Sequence, residues 1–263
     1  MGSKTLKIGL ALGSGGPRGL AHIGVIKVLE KNNIPINFIA GSSIGAMVGG
    51  AYAALRDIQK IEDIALATDW RLIVKLIDPS LRQGLIGGNK VKKFIESHVD
   101  KIHFQDLKIP LSVIATDLKS GDTVCINEGE VASAIRASIS FPLVFKPKEV
   151  DGKLLTDGGL SLPVPVDTVR NMGAEVVIAV NLDNDYFTNN GNTSVNFGYY
   201  RIANNSINLL RHHLAALNVQ NADLVVNPSL GNINWSKFLN ARDAILAGEN
   251  AMARQMDKLL ELL

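Results

Sequence analysis

An apolar run from Ile8 to Leu12, which contains Gly9, gives way to Gly13-Ser14-Gly15-Gly16-Pro17-Arg18-Gly19, a pattern that predicts a short buried strand over 7–12 running into a glycine turn. Residues 20–31 are apolar nearly all round and predict a buried helix. The unit then repeats, with a strand over Asn37 to Ala40, a tight turn at Gly41-Ser42-Ser43 and a helix over 44–56. Small residues at Gly45, Ala46, Gly49, Gly50 and Ala53 suit that helix to a close approach to a sheet. Helical periods continue at 57–69 and 89–99, separated by an irregular stretch around Pro79 and Gly84. The period then becomes that of strands. Leu111 to Asp117 and Thr123 to Ile126 flank Ser120-Gly121-Asp122, while Lys146 to Val150 and Lys153 to Leu155 flank Asp151-Gly152, each pair predicting a hairpin. Helices at 130–138 and 165–172 and a buried strand from Val176 to Asn181 complete an alternation that implies an α/β layer architecture.

Residues 183–198 (DNDYFTNNGNTSVNFG) follow no period and read as an insertion or lid with aromatic ends. Their Asp183-Asn184-Asp185 start has the look of a calcium loop, but Phe187 replaces the next ligand and no Gly or Glu follows at the required spacing. Beyond them Ala203, Ile207, Leu210, Leu214 and Leu217 mark one helix stripe, Leu224 to Val226 a short strand, and 242–262 a last helix. That helix carries Ile245, Met252, Met256, Leu259 and Leu263 on one side and charges of both signs on the other, which favours core packing over a membrane surface. No repeat or linker divides the chain, so one domain over 1–263 is expected, its C-terminal part, 199–263, mostly helical.

Composition narrows the function classes. With 263 residues, 46% apolar and 20% charged, the chain is globular and able to bury a sizeable core. A net charge of +2 provides no bulk attraction to phosphate backbones, so nucleic acid is not an expected partner. Cys125 is the single cysteine, which rules out an internal disulfide and, with no targeting pattern, makes a cytoplasmic setting the expectation.

Candidate chemistry lies in the two turns. Gly41-Ser42-Ser43-Ile44-Gly45 fits G-x-S-x-G, in which the central serine, Ser43, stands on a strained strand-to-helix turn with its Oγ at a helix N-terminus. Helix capping is the plainer role, and it suits Ser42 better. The glycine turn of 13–19 could cradle an anion with its amides. A dinucleotide site is disfavoured, because Arg18 occupies the place of the third glycine and the second strand ends in Ile39-Ala40 without an acid. A Walker loop is excluded by the lack of Gly-Lys-Ser/Thr. An oxyanion hole from the amides of Gly15, Gly16 and Arg18 remains, with a packing turn as the bland reading. A serine nucleophile needs a base. Among five histidines, His22 lies inside the first helix, His98 and His103 flank a charged segment, and His212 and His213 lie opposite and beside the apolar stripe, His212 as a solvated side chain. Asp157, at a strand end before Gly158-Gly159, is the other candidate, with Asp117 its competitor.

Together, the Gly-rich loop, the G-x-S-x-G turn, Ala137-Ser138-Ile139-Ser140-Phe141-Pro142 and Asp157-Gly158-Gly159 stand in an order that resembles the patatin-like phospholipase family over about 7–182. The resemblance implies a three-layer α/β/α fold with a central, mostly parallel sheet, and hydrolysis of lipid acyl esters by a Ser-Asp dyad without metal or cofactor. It makes Ser43 the nucleophile and Asp157 the base, and puts Gly15, Gly16 and Arg18 in the oxyanion loop. A lipid or fatty acyl ester substrate and transient membrane contact follow. Two positions depart from the family pattern: Ser14, where a glycine is usual, and Leu162, where a polar asparagine is common. A catalytically silent lipid-binding module of the same fold is the rival reading, and dinucleotide binding a third.

Overall fold

The structure is a computed structural model, and it describes residues 6–68, 88–99, 101–185, 198–230 and 241–263. Its strands are β1 (Ile8–Leu12), β2 (Phe38–Ser42), β3 (Leu111–Asp117), β4 (Thr123–Ile126), β5 (Lys148–Val150), β6 (Lys153–Asp157), β7 (Val176–Val180) and β8 (Leu224–Val226). The helices are α1 (Ala21–Lys31), α2 (Ile44–Leu55), α3 (Ile58–Ala67), α4 (Asn89–Val99), α5 (Val131–Ser138), α6 (Val166–Asn171), α7 (Tyr199–Asn218), α8 (Ala241–Ala253) and α9 (Met256–Leu262). One sheet holds every strand in the order β5-β6-β3-β2-β1-β7-β8, with β4 also paired to β3. The five strands from β3 to β8 in that order run parallel, and β4, β5 and β6 add antiparallel pairs at the β3 end.

Both faces of the sheet are covered, as the nearly continuous apolar runs of β1 and β7 require. Ile8, Leu10 and Leu12 of β1 enter the larger core with residues of α1, α2, α5 and α8. Ala11, with Ala40, Val177 and Ala179, faces the opposite way against Val166 and Val169 of α6 and Ala215 of α7. On this second side the small residues let α6 come close: a Cβ on Gly9 would lie 2.0 Å from Val169 Cγ1. Gly24 and Gly248 do the same for α1 and α8, since a Cβ on either would strike the other helix's backbone, at Ile245 O or Ala21 O. Asp151 and Gly152 adopt φ of 48° and 77°, the left-handed pair that a two-residue hairpin turn demands.

Three expectations are corrected. β6 runs on to Asp157 rather than stopping at Leu155, because its far half pairs with β3 beyond the β5 hairpin. The last helix is two, broken at Arg254-Gln255, where the ladder tightens to a bond from Gln255 N to Met252 O; this keeps Ile245, Met252, Met256 and Leu259 buried and leaves Leu263 exposed. On α7 the expected stripe is packed only in part, since Leu210 and Leu217 are 71% and 61% exposed and Ala203, Ile207 and Leu214 half-buried, while the fully buried residues are Asn208, Arg211 and Ala215. The irregular stretch around Pro79 and Gly84, and most of the candidate lid, 186–197, lie outside the described residues. Among the described residues no helix is long and apolar enough to cross a membrane.

From β1 the chain moves to β2 and β3 on one side, then returns to β7 on the other. The crevice at the carboxyl ends of β1 and β7 is therefore a topological switch point, where open α/β sheets place their sites.

Candidate active site

Sheet register brings the two motifs together. Ser42, the last residue of β2, pairs with Ile114 of β3, and the next β3 residue, Ala115, pairs with Asp157 at the end of β6. Ser43, one step beyond Ser42, takes φ 55° and ψ −120°, a conformation costly for a non-glycine residue, with α2 starting at Ile44. This turn is possible because its neighbours are glycines: a Cβ on Gly41 would lie 2.5 Å from Ala46 N, and one on Gly45 only 2.2 Å from Leu12 O. Gly45 thus seats the start of α2 directly on the exit of β1, next to the glycine loop. Ser43 Oγ donates to Asp157 Oδ2 at 2.6 Å, and Gly159 N donates to Asp157 Oδ1 at 2.8 Å. Asp157 also accepts at its carbonyl from Thr116 Oγ1 at 2.8 Å. Ser42 is fully buried in the strand and does not cap α2, which corrects the plainer role given to it.

Burial pushes Asp157 up to about 6; the Ser43 hydroxyl, the Gly159 amide and the Arg211 charge pull it back, and Asp183 adds to the push. Asp183 and Arg211 form a buried two-pronged pair, with Nε to Oδ2 and Nη2 to Oδ1 both at 2.8 Å. This pair joins the exit of β7 to α7 and helps to seat that helix beside the buried Ala215. His212, expected to be solvated, is half-buried with Nδ1 2.7 Å from Asp183 O, while His213 is exposed. Asp117 accepts from Lys119 N at 2.9 Å in the turn after β3, and so is engaged away from the Ser43 pairing.

In the glycine loop Gly13 N donates to Val180 O at 3.1 Å and Ser14 N to Pro163 O at 2.8 Å. Gly16, at φ 56°, opens a 3-10 turn over Gly16–Leu20, in which Arg18 N donates to Gly15 O at 3.3 Å. The amides of Gly15 and Gly16 have no backbone acceptor among the described residues. Arg18 is buried and its guanidinium pairs with Asp185, whose Oδ2 also accepts from Leu230 N at 2.9 Å. Ser14 Oγ is buried beside Gly159, 2.7 Å from where a Cβ there would sit. Leu162 is half-buried and gives its amide to Gly158 O at 2.9 Å.

Ser138 is a site residue whose role the motif alone did not reveal. Its Oγ accepts from Ser43 N at 2.8 Å and donates to Ile114 O, tying the strained turn to β3 from 95 positions away. Ser138→Ala leaves the buried Ser43 amide without an acceptor, at a cost of about 1–3 kcal/mol. We expect urea unfolding to register that loss, and Ser138→Thr to recover most of it.

An α/β/α layer fold with a serine on a strand-to-helix turn, a carboxylate at its hydroxyl and a glycine loop beside it defines a serine-carboxylate site at a sheet switch point. Comparison with known proteins gives this class its family. The patatin-like phospholipase family model matches residues 10–170, and the chain belongs to that family. It is 42% identical over 183 residues to an uncharacterised NTE family protein of Mycobacterium bovis, a match covering 69% of this chain and 51% of that protein. It is 32% identical over 197 residues to the neuropathy target esterase of Drosophila melanogaster, covering 70% of this chain and 14% of that protein. The chain therefore spans about half the length of the mycobacterial relative, and far less of the fly protein. Among solved structures, VipD from Legionella pneumophila superposes with a TM-score of 0.65 at 14% identity, covering 97% of this chain and 67% of that one, a likeness of fold.

Proposed function

We propose that the protein is a lipid acyl hydrolase, cleaving carboxylic esters of the phospholipase or lysophospholipase type with Ser43 as nucleophile and Asp157 as base. The observation that carries this reading is the 2.6 Å bond from Ser43 Oγ to Asp157 Oδ2 in a buried site. Ser43 Oγ gives its proton to Asp157 as it attacks the acyl carbon, and the amides of Gly15 and Gly16 receive the developing oxyanion. Arg18 belongs to the same loop and braces it through Asp185. Asp157 then protonates the leaving alcohol, the acyl group stays on Ser43 Oγ, and water, deprotonated by Asp157, releases the fatty acid. A carboxylate near pKa 4 is a weak base at neutral pH, and the upward shift to about 6 makes Asp157 a better one. The names of the family and of the fly esterase agree with ester hydrolysis. The same reading treats 1–263 as one domain, in the cytoplasm, meeting its lipid substrate through transient contact with a membrane surface.

The decisive experiment pairs fluorophosphonate labelling with lipid turnover. Covalent label at Ser43, and fatty acid released from a mixed lipid extract by wild type but not by Ser43→Ala, support the hydrolase. Lipid binding without label or release replaces it with a lipid-binding module.

The dyad makes the two histidines of α7 dispensable. His212→Ala and His213→Ala should keep kcat/KM on a soluble ester within a few fold, on the order of 1 kcal/mol or less. A thousand-fold loss in either, with Asp157→Asn still active, would instead point to a triad.

A further inference from the structure

One buried ionisable side chain stands under the glycine loop and has no part in the dyad. His22, the second residue of α1, is 0% exposed, and its ring lies with Nε2 2.8 Å from Gly13 O. A carbonyl oxygen only accepts, so Nε2 carries the hydrogen and donates it. Nδ1 is then a lone-pair acceptor, buried and without a partner among the described residues. A position needed only for packing is filled at less cost by an apolar side chain of similar volume, which leaves no acceptor unmet. The donor from Nε2 is the feature that a histidine supplies here and an apolar residue does not.

Gly13 O belongs to the peptide between Gly13 and Ser14. The other end of that peptide, Ser14 N, is bonded to Pro163 O, and the residue before it is tied by Gly13 N to Val180 O. With His22 the peptide is held at both ends, immediately before the two amides that lack backbone acceptors, those of Gly15 and Gly16. Leu182 also packs against Gly15, where a Cβ would meet it at 2.8 Å. Pre-aligned donors stabilise a developing charge without reorganising when it appears, so whatever fixes the first peptide of the loop acts on the chemical step rather than on substrate binding. Burial pushes His22 down to about 4, so the ring stays neutral across the working range.

We propose that His22 is a positioning residue for the oxyanion loop, its Nε2 hydrogen bond to Gly13 O holding the Gly15 and Gly16 amides ready for the tetrahedral intermediate. This rests on the hydrolase reading above. The variants are His22→Gln, whose amide nitrogen reaches the place of Nε2, and His22→Leu, which fills the space without a donor. Each is assayed on a soluble ester and against an alkyl trifluoromethyl ketone, which adds Ser43 Oγ to its carbonyl carbon, passes the hydroxyl proton to Asp157 and leaves an oxyanion in the loop. His22→Leu should lower kcat roughly 10- to 100-fold with KM nearly unchanged, short of the 10²–10³-fold that losing an oxyanion donor costs, and raise the ketone Ki by a similar factor. His22→Gln should restore both to within a few fold. The proposal fails if His22→Leu keeps kcat within twofold, if the loss falls on KM, or if Gln does no better than Leu. It also fails if neither variant gives a folded protein by circular dichroism, because the residue's work is then structural. A wild type without Ser43-dependent turnover would overturn the hydrolase reading itself, and this proposal with it; active wild type beside an unimpaired Leu variant would overturn this proposal alone.

Discussion

On the proposed mechanism Ser43→Ala and Asp157→Asn should each remove ester turnover by about 10⁴-fold or more, and the double variant should be no worse than either alone, because a nucleophile and its base act as one unit. The geometry behind this is the single bond between them: Ser43 Oγ has Asp157 Oδ2 at 2.6 Å, while Oδ1 is occupied by Gly159 N. Stability should move the opposite way in Asp157→Asn. The folded protein holds Asp157 at about 6, above the ordinary 3.8, so the folded state favours the protonated acid. Stability from this group is present at low pH and is lost as pH rises from about 4 through about 6, where the buried carboxylate ionises. An asparagine has no charge to bury and keeps an oxygen for Gly159 N, so the variant should gain on the order of 2–3 kcal/mol at pH 8 and little at pH 4. Thermal melts at the two pH values, beside steady-state kinetics, test both halves. An inactive variant no more stable than wild type at pH 8 would sink the burial argument; an active one would sink the dyad.

What the sequence made legible is what short-range rules encode. Asp151-Gly152 announced its hairpin because few other residues take two left-handed conformations in a row. Gly41 and Gly45 announced the strained serine between them because only a missing Cβ lets the backbone pass so close. The family motifs named Ser43 and Asp157, although nothing local to either places them 2.6 Å apart; that follows from the register of β2 on β3 and of β3 on β6. Roles that depend on such pairings stayed hidden. Ser138 holds the Ser43 amide only because α5 packs on β3, and His22 reaches Gly13 O only because the loop between them closes on itself. The face of α7 departs from its apolar periodicity for a related reason. Apolar periodicity assumes that a helix is seated by its hydrophobic side, whereas α7 is seated in part by Arg211 on a carboxylate 28 positions earlier, with Leu210 and Leu217 turned outward.

That ion pair should give the second large effect. Asp183 is 1% and Arg211 8% exposed, so Arg211→Met leaves a carboxylate in the interior without its two donors, a loss worth about 3–5 kcal/mol in urea unfolding. The same substitution should reach the dyad through charge. Arg211 pulls the Asp157 carboxyl down and Asp183 pushes it up, so removing the cation alone takes away one pull, keeps the push and carries Asp157 above about 6. A base works only when ionised, so the acid limb of kcat/KM should move to higher pH, with activity most reduced near pH 6 and recovering toward pH 9. Removing both charges in Asp183→Asn/Arg211→Met takes away the push together with the pull. The double variant should regain much of the lost stability and return its limb toward that of wild type, because paired burial is tolerated where a single buried charge is not. Urea titrations and pH profiles of the two variants decide the matter. An Arg211→Met protein within 1 kcal/mol of wild type, or one whose limb shifts to lower pH, would show that the pair neither seats α7 nor acts on the carboxylate beside Ser43.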